Sequence, residues 1–111
     1  MDIVCEHIGG ILVARVRETR IDAAIAIRFK DRMREVLSDP ATQVVLDLSR
    51  VDFLDSSGLG AVVAMMKMAG PGRRVELAGL TPTVEKVFRL TRMDRVFTIH
   101  PTAPSDAQHV D

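Results

Sequence analysis

The run Asp55-Ser56-Ser57-Gly58-Leu59-Gly60 sets two hydroxyls between an acid and two glycines, and serines in such a setting serve as nucleophiles, phosphate ligands or helix caps. A hydrolase places its nucleophile on a strand-to-helix turn with glycine two residues before and two after. Neither Ser56 nor Ser57 has that spacing, and His100 and Asp47 would complete a triad only by an accident of folding. A phosphate-cradling loop wants a lysine and a following serine or threonine, whereas this run has no lysine and carries Asp55 where an anion would sit. At a helix start, a serine satisfies a free backbone N–H, a contribution of about 1 kcal/mol that needs no further role. Asp55 is itself an excellent cap, which leaves Ser56 free to project its hydroxyl outward. No catalytic role follows for either serine, and no cofactor is expected.

Other reactive side chains are scattered. His7, His100 and His109 stand far apart, none in a two-histidine or histidine–cysteine spacing, so no metal site is expected. The lone Cys5 cannot form an internal disulfide and reads as a small residue on an N-terminal strand, consistent with a reducing compartment.

The chain of 111 residues is long enough for one domain with a real core. Its 47% hydrophobic and 27% charged residues are those of an ordinary globular protein. Fifteen basic residues balance fifteen acidic ones, so no overall field draws in nucleic acid or anionic membrane. Tyrosine and tryptophan are absent, which removes the usual base-stacking platforms. The uncharged apolar stretch 59–66 falls far short of the roughly 18 apolar residues of a membrane span. The N-terminus has no basic segment leading into an apolar run. These features predict a soluble, cytoplasmic protein, a monomer or weak dimer.

Positioning the serines falls to alternating elements. Residues 3–6 and 11–17 read as strands joined at Gly9-Gly10 in a hairpin. From 22 to 38 the period becomes helical, with Ile25, Phe29, Met33 and Val36-Leu37 on one face, Asp22 as N-cap and Ser38-Asp39-Pro40 as stop. The mixed charges of that helix, Lys30 with Arg34 and Asp31 with Glu35, read as a solvated face. Val44 to Leu48 is a near-continuous apolar run, the pattern of a strand covered on both faces. After Gly58 a mostly buried helix carries Leu59, Val62, Val63 and Met66 on its inner stripe. Met65 and Met68 fall on its flank, where exposed methionines would mark an adaptable contact surface. Gly70-Pro71-Gly72 ends it. A strand follows around Val75 and Leu77, then a helix opened by Thr81-Pro82 with Val84, Val87, Phe88 and Leu90. Residues 96–99 fit a last short strand, and Pro104-Ser105-Asp106 is a weak helix start in the tail 101–111. The order β β α β α β α β predicts an α/β fold: a mixed sheet of four to five strands with helices packed against it.

Residues 44–60, from the buried strand through Phe53 and Leu54 to Asp55-Ser56-Ser57-Gly58-Leu59-Gly60, resemble the signature of STAS domains, specifically the bacterial anti-sigma-factor antagonists. Leu77-Ala78-Gly79-Leu80-Thr81-Pro82 resembles the family's next strand and capped helix, and with the opening hairpin the likeness covers residues 3 to 100. The resemblance implies a protein-binding switch. Unphosphorylated, such a domain binds a serine kinase that is also an anti-sigma factor, freeing the sigma factor; phosphorylation of one serine abolishes binding, and a phosphatase restores it. That serine falls on Ser56, with Ser57 the alternative, and the partner-binding surface on Asp22, Asp55, Ser56, Ser57 and Gly58. One departure is Thr19, where the family commonly has glycine, which suggests a differently shaped loop. Within the same fold the alternatives are a STAS subunit of a stress-signalling scaffold or of a lipid transporter; a serine hydrolase is a remote one.

Overall fold

The computed structural model describes residues 1–105. Five strands form one mixed sheet in the order β1-β2-β4-β6-β7. β1 (Ile3–Ile8) and β2 (Ile11–Val16) make the antiparallel hairpin. β4 (Gln43–Asp47), β6 (Arg74–Ala78) and β7 (Ile99–His100) add to it in parallel. Parallel neighbours require crossovers, and these are α1 (Ala26–Val36), α2 (Ser56–Ala69) and α3 (Pro82–Leu90). At the hairpin tip Gly9 and Gly10 both have positive φ, 56° and 81°, as a two-residue turn between right-twisted strands demands.

The core lies between one sheet face and the helices. Leu12, Ala14 and Val16 of β2, Val44 and Leu46 of β4 and Leu77 of β6 meet Phe29 and Met33 of α1, Val62 and Met65 of α2, and Val84 and Phe88 of α3. The alternation of β4 sends Val45 to the opposite face, beside Val13, and both are buried there too. Glu76, the cross-strand partner of Val45, is buried at 8% exposure on that second face. It accepts hydrogen bonds from Gln43 Nε2 at 2.8 Å and pairs with His100 Nε2 at 2.9 Å. Burial pulls its carboxyl upward, but the contacts with His100 and Gln43 prevail and hold it below the ordinary glutamate value.

The helical pattern that begins at Asp22 does not become helix there. Residues 20–21 form a two-residue strand, β3 (Arg20–Ile21), paired in parallel with β5 (Phe53–Leu54), and neither was expected. Asp22 therefore stands in a turn: its carbonyl accepts from Ile25 N and Ala26 N, and its Oδ1 accepts from Ala24 N. The N-cap of α1 is Ile25, without a side-chain cap bond. The stop is as expected from 38–40, and Arg73 reinforces it by donating to the carbonyls of Leu37, Asp39 and Ala41. On α2 the buried stripe is rotated from the expected one. Met65 is fully buried and Met66 only half-buried, while Leu59 and Val63 lie at the edge of the core. In α3, Leu90 is 71% exposed. The last strand is shorter and later than 96–99, because Met93–Arg95 takes a tight helical turn first and Val96 stays exposed. Pro104 and Ser105 carry no regular structure; Asp106 and His109 lie outside the described residues.

Candidate functional site

The first turn of α2 is built by a division of labour among Asp55, Gly58 and the two serines. Asp55 is extended at φ −95° and ψ −174°, and its Oδ1 accepts from Gly58 N at 2.8 Å, capping the helix. Its Oδ2 accepts from Ala23 N at 3.1 Å, so the same carboxylate ties the Asp22 loop to the helix start. These donors, Gly58 first and then Ala23, outweigh the effect of burial and lower the Asp55 carboxyl below its ordinary value.

Gly58 has a steric reason to be glycine. A Cβ there would lie 2.0 Å from the carbonyl oxygen of Ile21, so β3 rests directly on the helix backbone. Gly58 is buried beneath that contact, and what it contributes to the surface is the closeness of β3. Ser56 and Ser57 are exposed, and neither hydroxyl is used by the cap.

The β3–β5 pair brings further residues to the same place. Arg20 is the register partner of Phe53, its guanidinium carbon lies 4.8 Å from the ring centre, and its Nε donates to Asp22 Oδ2 at 2.9 Å. Phe53 is 42% exposed. Thr19 O accepts from Asp52 N at 2.7 Å, joining the loops before β3 and β5. Thr19 itself has no positive φ, so the residue that replaces the family's usual glycine sits there without strain. Asp22, Asp55, Ser56, Ser57 and Gly58 are thus assembled around one helix start. Arg20 and Phe53, which join them, were missed because only the unpredicted pairing of two-residue strands brings 20 to 53.

Beyond Ser56, the outer side of α2 carries Gly60, Val63, Ala64 and Lys67; Lys67 is the only charged residue in the helix. The exposed members of that side are the serines, Gly60 and Lys67. Ser56 and Ser57 stand at the exposed start of α2. The cleft of about 260 Å³ lined by Val4, Arg15, Val16, Arg17, Asp47, Ser49 and Arg50 includes neither. The residues that might have completed a triad are engaged elsewhere: His100 Nε2 with Glu76, and Asp47 Oδ1 with Ser49 N at 2.9 Å. Among the described residues no group of three acidic, histidine or cysteine side chains is arranged to hold a metal ion, and no helix is long and apolar enough to cross a membrane.

A mixed five-stranded sheet backed by helices, with an aspartate-capped helix start presenting two serines, defines the class: residues 2–105 match the STAS domain model, and the chain belongs to that family. Its similarity runs to antagonists of anti-sigma factors. It is 28% identical over 99 residues to the anti-sigma-F factor antagonist RsfB of Mycobacterium tuberculosis, covering 89% of this chain and 80% of that protein. A STAS-domain containing protein of Pseudomonas aeruginosa is 31% identical over 81 residues, covering 72% of this chain and 79% of that one. The crystal structure of an anti-sigma factor antagonist from Mycobacterium paratuberculosis superposes with a TM-score of 0.81 at 28% identity, over 91% of this chain and 86% of the other.

Proposed function

We propose that this protein is an anti-sigma-factor antagonist that works by partner switching: unphosphorylated, it binds a serine kinase that doubles as an anti-sigma factor, and phosphate on Ser56 ends that binding. The observation that carries the reading is the exposed Ser56 on a helix whose cap is already supplied by Asp55, beside Asp22 and an exposed Phe53. A hydroxyl not needed by the fold is accessible to a kinase active site. The antagonists among its relatives supply the partner class. A phosphatase resets the switch, and the protein itself acts by binding, not catalysis, in the cytoplasm.

Phosphate at Ser56 adds about −1.5 to −2 charges beside Asp55. The helix N-terminus favours that charge by about 0.3–1 kcal/mol at an exposed site, so the modified protein stays folded. The loss falls on the interface, where a dianion must be desolvated against the partner. The test incubates the protein with its cognate kinase and ATP and maps the product by mass spectrometry. Phosphate on Ser56, abolished in Ser56→Ala, with Ser56→Ala retaining partner binding and Ser56→Asp losing it at unchanged thermal stability, is the expected outcome. Phosphate on Ser57 instead moves the site by one residue. None on either serine overturns the switch and leaves a scaffold or transporter subunit.

A further inference from the structure

Arg20 lies on β3, the strand packed against the start of α2, with four of its five N–H donors unused. Its Nε is committed to Asp22, but Nη1 and Nη2 donate to no described residue, and the side chain is 59% exposed. The guanidinium is nevertheless held in place, stacked on Phe53 from one side and paired to Asp22 from another. Its backbone neighbour Ile21 touches Gly58, Phe53 lies three residues before Ser56, and Ala23 is bonded to Asp55. Arg20 and the first turn of α2 are therefore parts of one packed unit. The carboxylates on that unit are Asp22, Asp52 and Asp55; of the other cations close to it in sequence, Arg17 is paired with Asp2, and the exposed Arg28 and Arg50 make no ion pair with any of the three.

We infer that Arg20 is the built-in receptor for a phosphate on Ser56, its Nη edge taking phosphate oxygens while Nε keeps Asp22 and the Phe53 ring keeps the guanidinium in place. The inference rests on the reading of Ser56 as a phosphoacceptor and adds how the modified state is organised. A dianion placed among three carboxylates needs a cation. A guanidinium offers two parallel donors in the geometry that phosphate prefers, and one already ordered by a ring and a carboxylate loses little freedom on binding. Occupation of Arg20 also changes the docking surface. Exposed arginine and aromatic side chains are the residues on which protein interfaces most often depend. A phosphate seated on the Arg20–Phe53 pair takes both out of a partner's reach, so the switch acts by covering an anchor as well as by adding charge.

The experiment needs no kinase. Phosphoserine is incorporated at position 56 of the full chain during translation, and its second ionisation, ordinarily near pH 6, is followed by phosphorus NMR. An adjacent cation favours the dianion and lowers that pKa, so Arg20→Gln should raise it by about 0.5 unit, roughly threefold in proton affinity. Arg28→Gln and Arg34→Gln, which remove the same charge nearby and at the far end of α1, should move it by no more than about 0.1 unit. The Arg20 Nε–H resonance should shift with the same midpoint as the phosphate. An unchanged pKa in Arg20→Gln, or an equal shift in either comparison variant, overturns the assignment. Failure of a kinase to modify Ser56 would instead count against the switch and leave this titration as it stands.

Discussion

Alanine substitution at two glycines on the same helix should have opposite effects on stability, and the difference isolates what the Asp-Ser-Ser-Gly motif does for the fold. In a helix interior alanine is favoured over glycine by about 0.5–1 kcal/mol. At Gly60 a Cβ would meet nothing within 4 Å, so Gly60→Ala should realise that gain. At Gly58 the same atom would lie 2.0 Å from Ile21 O and 2.9 Å from its carbonyl carbon. Ordinary carbon–oxygen contact requires more than 3 Å, so β3 or α2 must retreat by over 1 Å. The obstacle is backbone and cannot rotate aside, and the retreat would loosen the β3–β5 pair and the bond from Ala23 N to Asp55. Overpacking of this kind costs about 1–3 kcal/mol, and severe cases more. Set against the helix-propensity gain, a net loss of about 1–2 kcal/mol follows. With a urea m-value of about 1–1.5 kcal/mol/M for a chain of this size, the midpoint should fall by about 1 M in Gly58→Ala and rise by about 0.5 M in Gly60→Ala. Equal midpoints, or a higher one in Gly58→Ala, would refute the packing of β3 on the helix start.

Met65→Ala should destabilise by about 2–5 kcal/mol, because Met65 is fully buried, whereas Met66→Ala at its half-buried neighbour should cost about 1 kcal/mol or less; reversed denaturation midpoints would restore the stripe expected from spacing. Asp55 has a lowered pKa in the folded state, so its contribution is fully present above the unfolded value near 3.9 and is lost as pH falls through the folded one. Asn caps a helix without titrating, so the acid decline measured by urea denaturation from pH 6 to pH 2 should be shallower in Asp55→Asn than in the parent protein.

Much of this protein is written in local sequence. The 2.0 period of 11–17 and the helical period of 59–66 are properties of the chain itself, since apolar residues must share a face to be buried at all. The hairpin at Gly9-Gly10, the cap at Asp55 and the proline-led start of α3 depend on nearest neighbours, and all three stand in the structure. The order of strands and crossovers then leaves few topologies. Tertiary contact decided the rest. Asp22 would serve as a helix cap if the chain before it were free, but Ile21 is drawn into β3 by Leu54, and a residue in that pairing cannot also lead straight into a helix. Which side of α2 is inner depends on where the sheet, α1 and β3 lie around it. In a helix with a single charge the spacing of apolar residues does not choose between Met65 and Met66. The site shows the same division: Asp55, Ser56 and Gly58 are legible as neighbours in sequence, while Arg20 meets Phe53 only because two strands of two residues pair across 33 positions of chain, a contact no local pattern encodes.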